Sequence, residues 1–256
     1  MSRAPAARLD RLLANLGYGS RREVHRIVAA GGVTLDGVTL REVGAKVPVS
    51  PALAERMRVG GAPLDAPAPL TLIMHKPVGV VCSHSEAGRG VYELLPPRWR
   101  RRDPALSTVG RLDLDTSGLL LITDDGPFLH RVISPRTHVA KRYHVTLDRP
   151  LSGTEGPLFA GGALLLDGET TPLAPALLEP LTPLTAWLTV TEGRYHQVRR
   201  MFAAAGAHVT ALHRDRIGAL DLPADLAPGA WRPLREEERG ALFAGTRMAG
   251  APSPRR

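Results

Sequence analysis

GRLDLDTSGLLLITDDG, residues 110–126, decides how this chain is read. Asp113 and Asp115 stand two residues apart and run into an apolar segment, Leu119 to Ile122. Three chemistries suit such a pattern. The first is a calcium loop. Asp113, Asp115, Ser117 and Gly118 match D-x-D-x-S-G, and Asp124 falls at the twelfth position. Such a loop needs oxygen ligands through its second half and a helix on each side. Here Leu119 to Ile122 are apolar, the upstream ALSTVG is β-like, and Asp stands where a bidentate Glu is usual. The metal reading fails behind the glycine. The second chemistry is a turn, since Asp, Thr, Ser and Gly bond nearby backbone N–H groups and tolerate tight conformations. The third is a catalytic carboxylate at Asp113, held ionised by a basic partner where a strand-like segment enters a loop. The local residues leave the last two open.

Around this stretch the sequence reads as strands with few helices. TLIMHKPVGVV, GLLLITDD, YHVTL, ALLLDG and AWLTVTEG have strand character, and helices are expected at 127–132 and about 195–205. There is no regular strand–helix–strand beat, which points to an α+β domain with a largely antiparallel sheet and flanking helices. The preceding GGAPLDAPAPL reads as a linker over 61–70.

The first sixty residues have a different character. Leu9, Leu12, Leu13 and Leu16 lie at helical spacing. Ser20-Arg21-Arg22-Glu23 is a capping box opening a second helix. VTLDGVTL is a hairpin signal turning at Asp36-Gly37. A small helix–helix–hairpin domain over 1–60 follows. From 236 the chain reads as a short helix and then a tail, with disorder expected in that tail.

Composition bounds the function. The net charge of +8 favours polyanionic partners, and residues 1–60 hold ten Arg and Lys against five Asp and Glu. A single cysteine, Cys82, excludes an intrachain disulfide framework or a multi-cysteine zinc site. No apolar run is long enough to span a bilayer, and the start lacks a secretory apolar region, so a cytoplasmic protein is expected.

With these segments in view, GRLDLDTSGLLLITDDG resembles the signature of the RsuA branch of the pseudouridine synthases. IMHKPVGVVCSH (73–84) resembles the family's K-P-x-G entry strand, KRYHVTL (141–147) its K-x-Y motif, and EGRYHQVRRMFAAAG (192–206) its third motif. LHRDRIGAL (212–220) is most similar to the type acting on 16S rRNA, and the N-terminal unit resembles an S4-type RNA-binding domain.

The resemblance implies a catalytic domain over 71–235 that isomerises a uridine of rRNA, most similar to the 16S type, with relatives acting on 23S rRNA. It implies Asp113 as the catalytic carboxylate, Tyr143 stacking on the target base, and Arg199 pairing with Asp113. Arg111 is expected at the RNA beside the site, and Arg21, Arg22 and Arg26 on rRNA phosphates. His196 and Gln197 are read as helix packing or support, Lys76 and Pro77 as structural. The arginines at 98, 100, 101 and 102 are either a solvated loop or an RNA-backbone contact. The isomerisation loses no atoms, so neither cofactor nor metal is implied. The expected partner is ribosomal RNA or a small-subunit assembly intermediate, with neither DNA nor membrane, and the chain is expected to be a monomer. The competing reading is a non-catalytic rRNA-binding or ribosome-assembly protein.

Overall fold

The computed structural model describes residues 5–83 and 88–244. The chain forms two compact units. The first takes residues up to Thr71 and adds Tyr92–Ser107 and Thr123–Asp125. The second takes Leu72–Val91, Thr108–Ile122 and the chain from Gly126 onward.

The first unit holds β1 (Ala6–Arg8), α1 (Leu9–Asn15), α2 (Arg21–Ala29), β2 (Val33–Leu35), β3 (Val38–Thr39), β4 (Lys46–Pro48), α3 (Leu53–Arg56), β5 (Met57–Val59) and β6 (Ala62–Pro63). Leu9, Leu13, Val24, Val28, Val33 and Met57 form its core, each fully buried. The capping box forms: Ser20 N–H donates to Glu23 Oε2 at 2.7 Å, and Ser20 Oγ accepts from the Glu23 N–H at 3.4 Å. Asp36 and Gly37 take φ of 49° and 81°, the left-handed pair that closes β2 onto β3. The stretch expected as a linker starts as β6, and Leu64 is buried in this core.

The segment Tyr92–Ser107 completes this unit. Its arginines do different jobs. Arg98 donates to both oxygens of Asp65, at 2.7 and 2.9 Å, and lies over the Tyr18 ring. Arg102 is buried and donates to Asp124 Oδ2 and the Ala66 carbonyl. Arg100 and Arg101 stay exposed. A single function for the four arginines is therefore corrected: two are spent on carboxylates. Asp124 also accepts from the Leu70 N–H at 2.6 Å, so its carboxylate is consumed inside this unit rather than offered to a metal loop.

The second unit is built on β7 (Thr71–Lys76), β8 (Ser107–Thr108), β9 (Thr116–Thr123), α4 (Gly126–Ile133), β10 (Lys141–Leu147), α5 (Glu155–Ala160), β11 (Leu177–Thr182), β12 (Thr185–Val190), α6 (Gln197–Ala204), β13 (Val209–Ile217), β14 (Leu220–Asp221), β15 (Trp231–Pro233) and α7 (Glu236–Ala241). The sheet runs β11-β12-β10-β13-β9-β7-β15, with β14 on β13 and β8 on β9. The β11–β12, β12–β10, β10–β13 and β7–β15 pairs are antiparallel, whereas β13 runs parallel to β9. The fold is α+β with a large, mostly antiparallel sheet.

Val145, Leu147, Leu188, Val190 and Leu212 bury one face against Val198, Met201 and Phe202 of α6 and Phe159 of α5. Further along, Leu119, Leu121, Ile73 and Ile217 meet Phe128 and Val132 of α4. Three sequence expectations change here. ALLLDG is irregular chain, not a strand, although Leu166 is buried. LLEPLT, which contains a proline, is strand β11. The start of the expected tail is folded, with Leu242 fully buried among Phe128, Val132 and Ile217; residues 245–256 lie outside the described residues.

Candidate active site

The signature stretch folds as a turn followed by a buried strand. Thr116 N–H donates to the Asp113 carbonyl, and β9 begins at Thr116. A strand thus occupies the positions a calcium loop would need for ligands. Lys76, fully buried, holds the turn from beneath: Nζ donates to the carbonyls of Asp113 at 2.9 Å, Thr116 at 2.7 Å and Pro77 at 3.0 Å. Burial pushes this ammonium below its ordinary value, and the negative ends of three carbonyls take the place of water. Lys76 therefore fixes the backbone on which Asp113 stands.

Asp113 opens into a cavity of about 840 Å³ within the second unit. Arg111, Lys141, Tyr143, Tyr195, His196, Arg199 and Arg214 share its lining. The carboxylate is 30% exposed, and His196 Nε2 lies 3.4 Å from its Oδ1. His196 stands just before α6 in a left-handed conformation, φ 47°, with its ring stacked on Tyr195 at 4.0 Å. That strained backbone turns the imidazole from the helix toward Asp113.

Arg199 does not pair with Asp113. Its Nη2 meets Asp115 Oδ2 at 2.7 Å, and Nη1 donates to the Val209 carbonyl at 2.9 Å. The expected pairing is corrected for a geometric reason. Arg199 rises from the first turn of α6 toward the start of β13, and the turn Asp113–Thr116 presents Asp115 to it.

Tyr143 comes from β10 opposite Arg214 of β13. Arg214 is 2% exposed; Nε donates to the Leu119 carbonyl at 2.9 Å, and Nη1 lies 3.5 Å from the Tyr143 hydroxyl. Its position depends on Gly118, with which it pairs in the β9–β13 register. A Cβ on Gly118 (φ 114°) would sit 2.1 Å from the Arg214 carbonyl oxygen. Only a glycine lets the two strands approach this closely.

Lys141 Nζ donates to the Val139 carbonyl. Burial, then the charge of Arg214, lowers its pKa to about 8. Loop 192–197 is braced from below: Gln197 Oε1 accepts from the Arg194 N–H, and Arg194 donates to the Thr171 and Pro172 carbonyls. Tyr195 is left 76% exposed at the cavity mouth. Arg111 is on the exposed rim. Arg21, Arg22 and Arg26 are exposed on α2 of the first unit.

Comparison with known proteins agrees with this geometry. The RNA pseudouridylate synthase family model matches residues 71–204, and the S4 domain model matches residues 7–50. The chain belongs to the RNA pseudouridylate synthase family. The chain is 43% identical to the ribosomal small subunit pseudouridine synthase A of Escherichia coli (strain K12), over 90% of this chain and 97% of that protein. It is 41% identical to the uncharacterized RNA pseudouridine synthase YtzG of Bacillus subtilis (strain 168), over 90% and 96%. A pseudouridylate synthase crystal structure aligns with a TM-score of 0.64 at 35% identity, covering 92% of this chain and 99% of that one. As a pseudouridine synthase the chain is an isomerase acting on RNA.

Among the expected site residues, the synthase fold brings Asp113, Tyr143, Arg199 and Arg111 to one cavity. Sequence reasoning missed Arg214 and Lys141, although both lie inside motifs that were legible, and it undervalued His196.

Proposed function

We propose that this chain isomerises a uridine of 16S rRNA to pseudouridine, with Asp113 as the catalytic carboxylate and Tyr143 as the face on which the target base stacks. The observation that carries the reading is the placement of Asp113. Its carboxylate opens into the cavity that Tyr143 lines, on a turn held by the buried Lys76. The small-subunit relatives support the choice of 16S rRNA.

The target uridine leaves its stack to reach this cavity, at a cost of a few kcal/mol that contacts in the cavity offset. The bond from sugar to N1 breaks, the base turns, and C5 joins the sugar carbon. Asp113 meets the charge or the bond that forms at the sugar. His196 stands beside it, and the Asp115–Arg199 pair fixes the turn behind it. Tyr143 offers an aromatic face and a hydroxyl at the ring edge. Arg111 contacts RNA beside the cavity. Residues 1–60 bind rRNA through phosphate contacts from Arg21, Arg22 and Arg26, which position the substrate without reading its sequence. Residues 71–235 carry the chemistry. The protein works as a monomer on ribosomal RNA or on a small-subunit assembly intermediate, in the cytoplasm.

The test is mapping of pseudouridine in rRNA from cells lacking the gene, complemented with wild type or Asp113→Asn. Wild type restores one small-subunit position. Asp113→Asn restores none, and in vitro it turns over at least about a thousand-fold more slowly while still binding RNA. Restoration by Asp113→Asn refutes the role of this residue, and a lost site confined to large-subunit rRNA refutes the substrate.

A further inference from the structure

The cavity holds a cation that the reading above does not use. Arg214 is 2% exposed, and its Nη2 is buried with no hydrogen-bond partner. Lys141, a second cation lining the same cavity, bonds the Val139 carbonyl alone among the described residues. Among the described residues no carboxylate forms an ion pair with either, while Arg142, Arg194, Arg199 and Arg200 each have at least one. A buried guanidinium without a counter-charge is costly to keep. Its orphan donor, on a group that lines the cavity, points to an acceptor that arrives with the substrate.

We propose that Arg214 is a further catalytic residue, donating from Nη2 to a carbonyl oxygen of the target uracil and stabilising the negative charge the base carries when it leaves the sugar. This rests on the proposed function. The acceptor is the base rather than a phosphate, because Arg214 lies beside Tyr143, the face assigned to uracil, and at 2% exposure is too buried for a backbone phosphate to reach. As the C1′–N1 bond breaks, its electron pair goes to the uracil, spread over N1, O2 and O4, and C1′ is taken by the Asp113 carboxylate. After the base turns, an electron pair from C5 forms the C5–C1′ bond and displaces the carboxylate. C5 then loses its proton and N1 gains one. A donor preset on O2 or O4 in a water-poor cavity lowers the first barrier most.

The experiment compares single-turnover loss of the N-glycoside for a small-subunit rRNA substrate carrying uridine, or 5-fluorouridine, at the target. A fluorinated uracil leaves as a more stable anion and needs less help. Arg214→Gln is expected to slow the uridine reaction about 10²–10³-fold with KM within a few-fold, and to slow the fluorinated one at least about ten-fold less than that. Equal losses on the two substrates, a change confined to KM, or no loss overturns the proposal. Where Arg214→Gln fails to fold, Arg214→Lys carries the same comparison, with a smaller loss on uridine that again shrinks with fluorine. Wild type inactive on small-subunit rRNA overturns the underlying reading instead, and this proposal with it.

Discussion

Two carboxylates separated by one residue have unlike surroundings. Asp113 faces the cavity beside His196, whereas Asp115, 64% exposed, is bound by Arg199. If that pair acts by fixing the turn, Asp115→Asn and Arg199→Gln each lower kcat about ten- to a hundred-fold. The double variant is then no slower than Arg199→Gln alone, because both changes release the same turn. Additive losses in single-turnover rates would show that Arg199 acts elsewhere. Lys141 yields a prediction about pH. Its folded pKa, about 8, lies below the ordinary 10.5, so the unfolded chain holds this proton more tightly. Below pH 8 both states are protonated and the penalty is complete. As pH rises from 8 to 10.5 the penalty fades, which adds stability on the order of 3 kcal/mol. Lys141→Met is expected to lack this rise, as read from urea midpoints of the two proteins across that range. Parallel midpoints would refute it.

Strands β9 and β13 show why the site was only partly legible. The β9 run of leucines is readable because a buried strand is apolar on both faces. β13 is not, because Val209–Ile217 carries four consecutive polar residues, His213 to Arg216, and hides a buried arginine among them. No local signal tells a buried Arg214 from an exposed one, since its environment is made by Tyr143 and Leu119 from distant segments. The strand at 177–182 was hidden by Pro180, which a sheet edge tolerates, and the register shifts beside it. ALLLDG misled in the opposite direction: its apolar run packs, but Leu165 is 53% exposed and the chain does not extend. The capping box and the Asp36-Gly37 turn were legible because their causes lie within a few residues. Gly118→Ala tests how tightly the two strands are coupled. The added methyl meets backbone, not a flexible side chain, so a loss of roughly 3 kcal/mol or more is expected. The melting temperature then falls by about 6 °C or more. A fall under about 2 °C would show that β13 moves aside freely.

The first unit is assembled from separated pieces of chain, which no local pattern announces: the signature motif runs without interruption into Thr123–Asp125, the last piece. Asp103 N–H donates to the Asn15 carbonyl, and Arg98 is held by Asp65 and Tyr18. Removing residues 1–60 takes away the Asn15 carbonyl and the Tyr18 ring, and is therefore expected to loosen 92–107 although Asp65 and Asp124 remain. Trypsin should cut among Arg98 to Arg102 at least about ten-fold faster in the shortened protein, with equal rates indicating that the segment folds without residues 1–60. The same layout bears on synthesis. An amino-terminal domain ordinarily folds once its own residues have left the ribosome. Here the core can close with Leu64, but the unit is complete only at residue 125, a delay of about 3–12 s at a translation rate of about 5–20 residues per second. During that interval the nascent chain displays an arginine-rich, incompletely closed surface beside the ribosome that is making it.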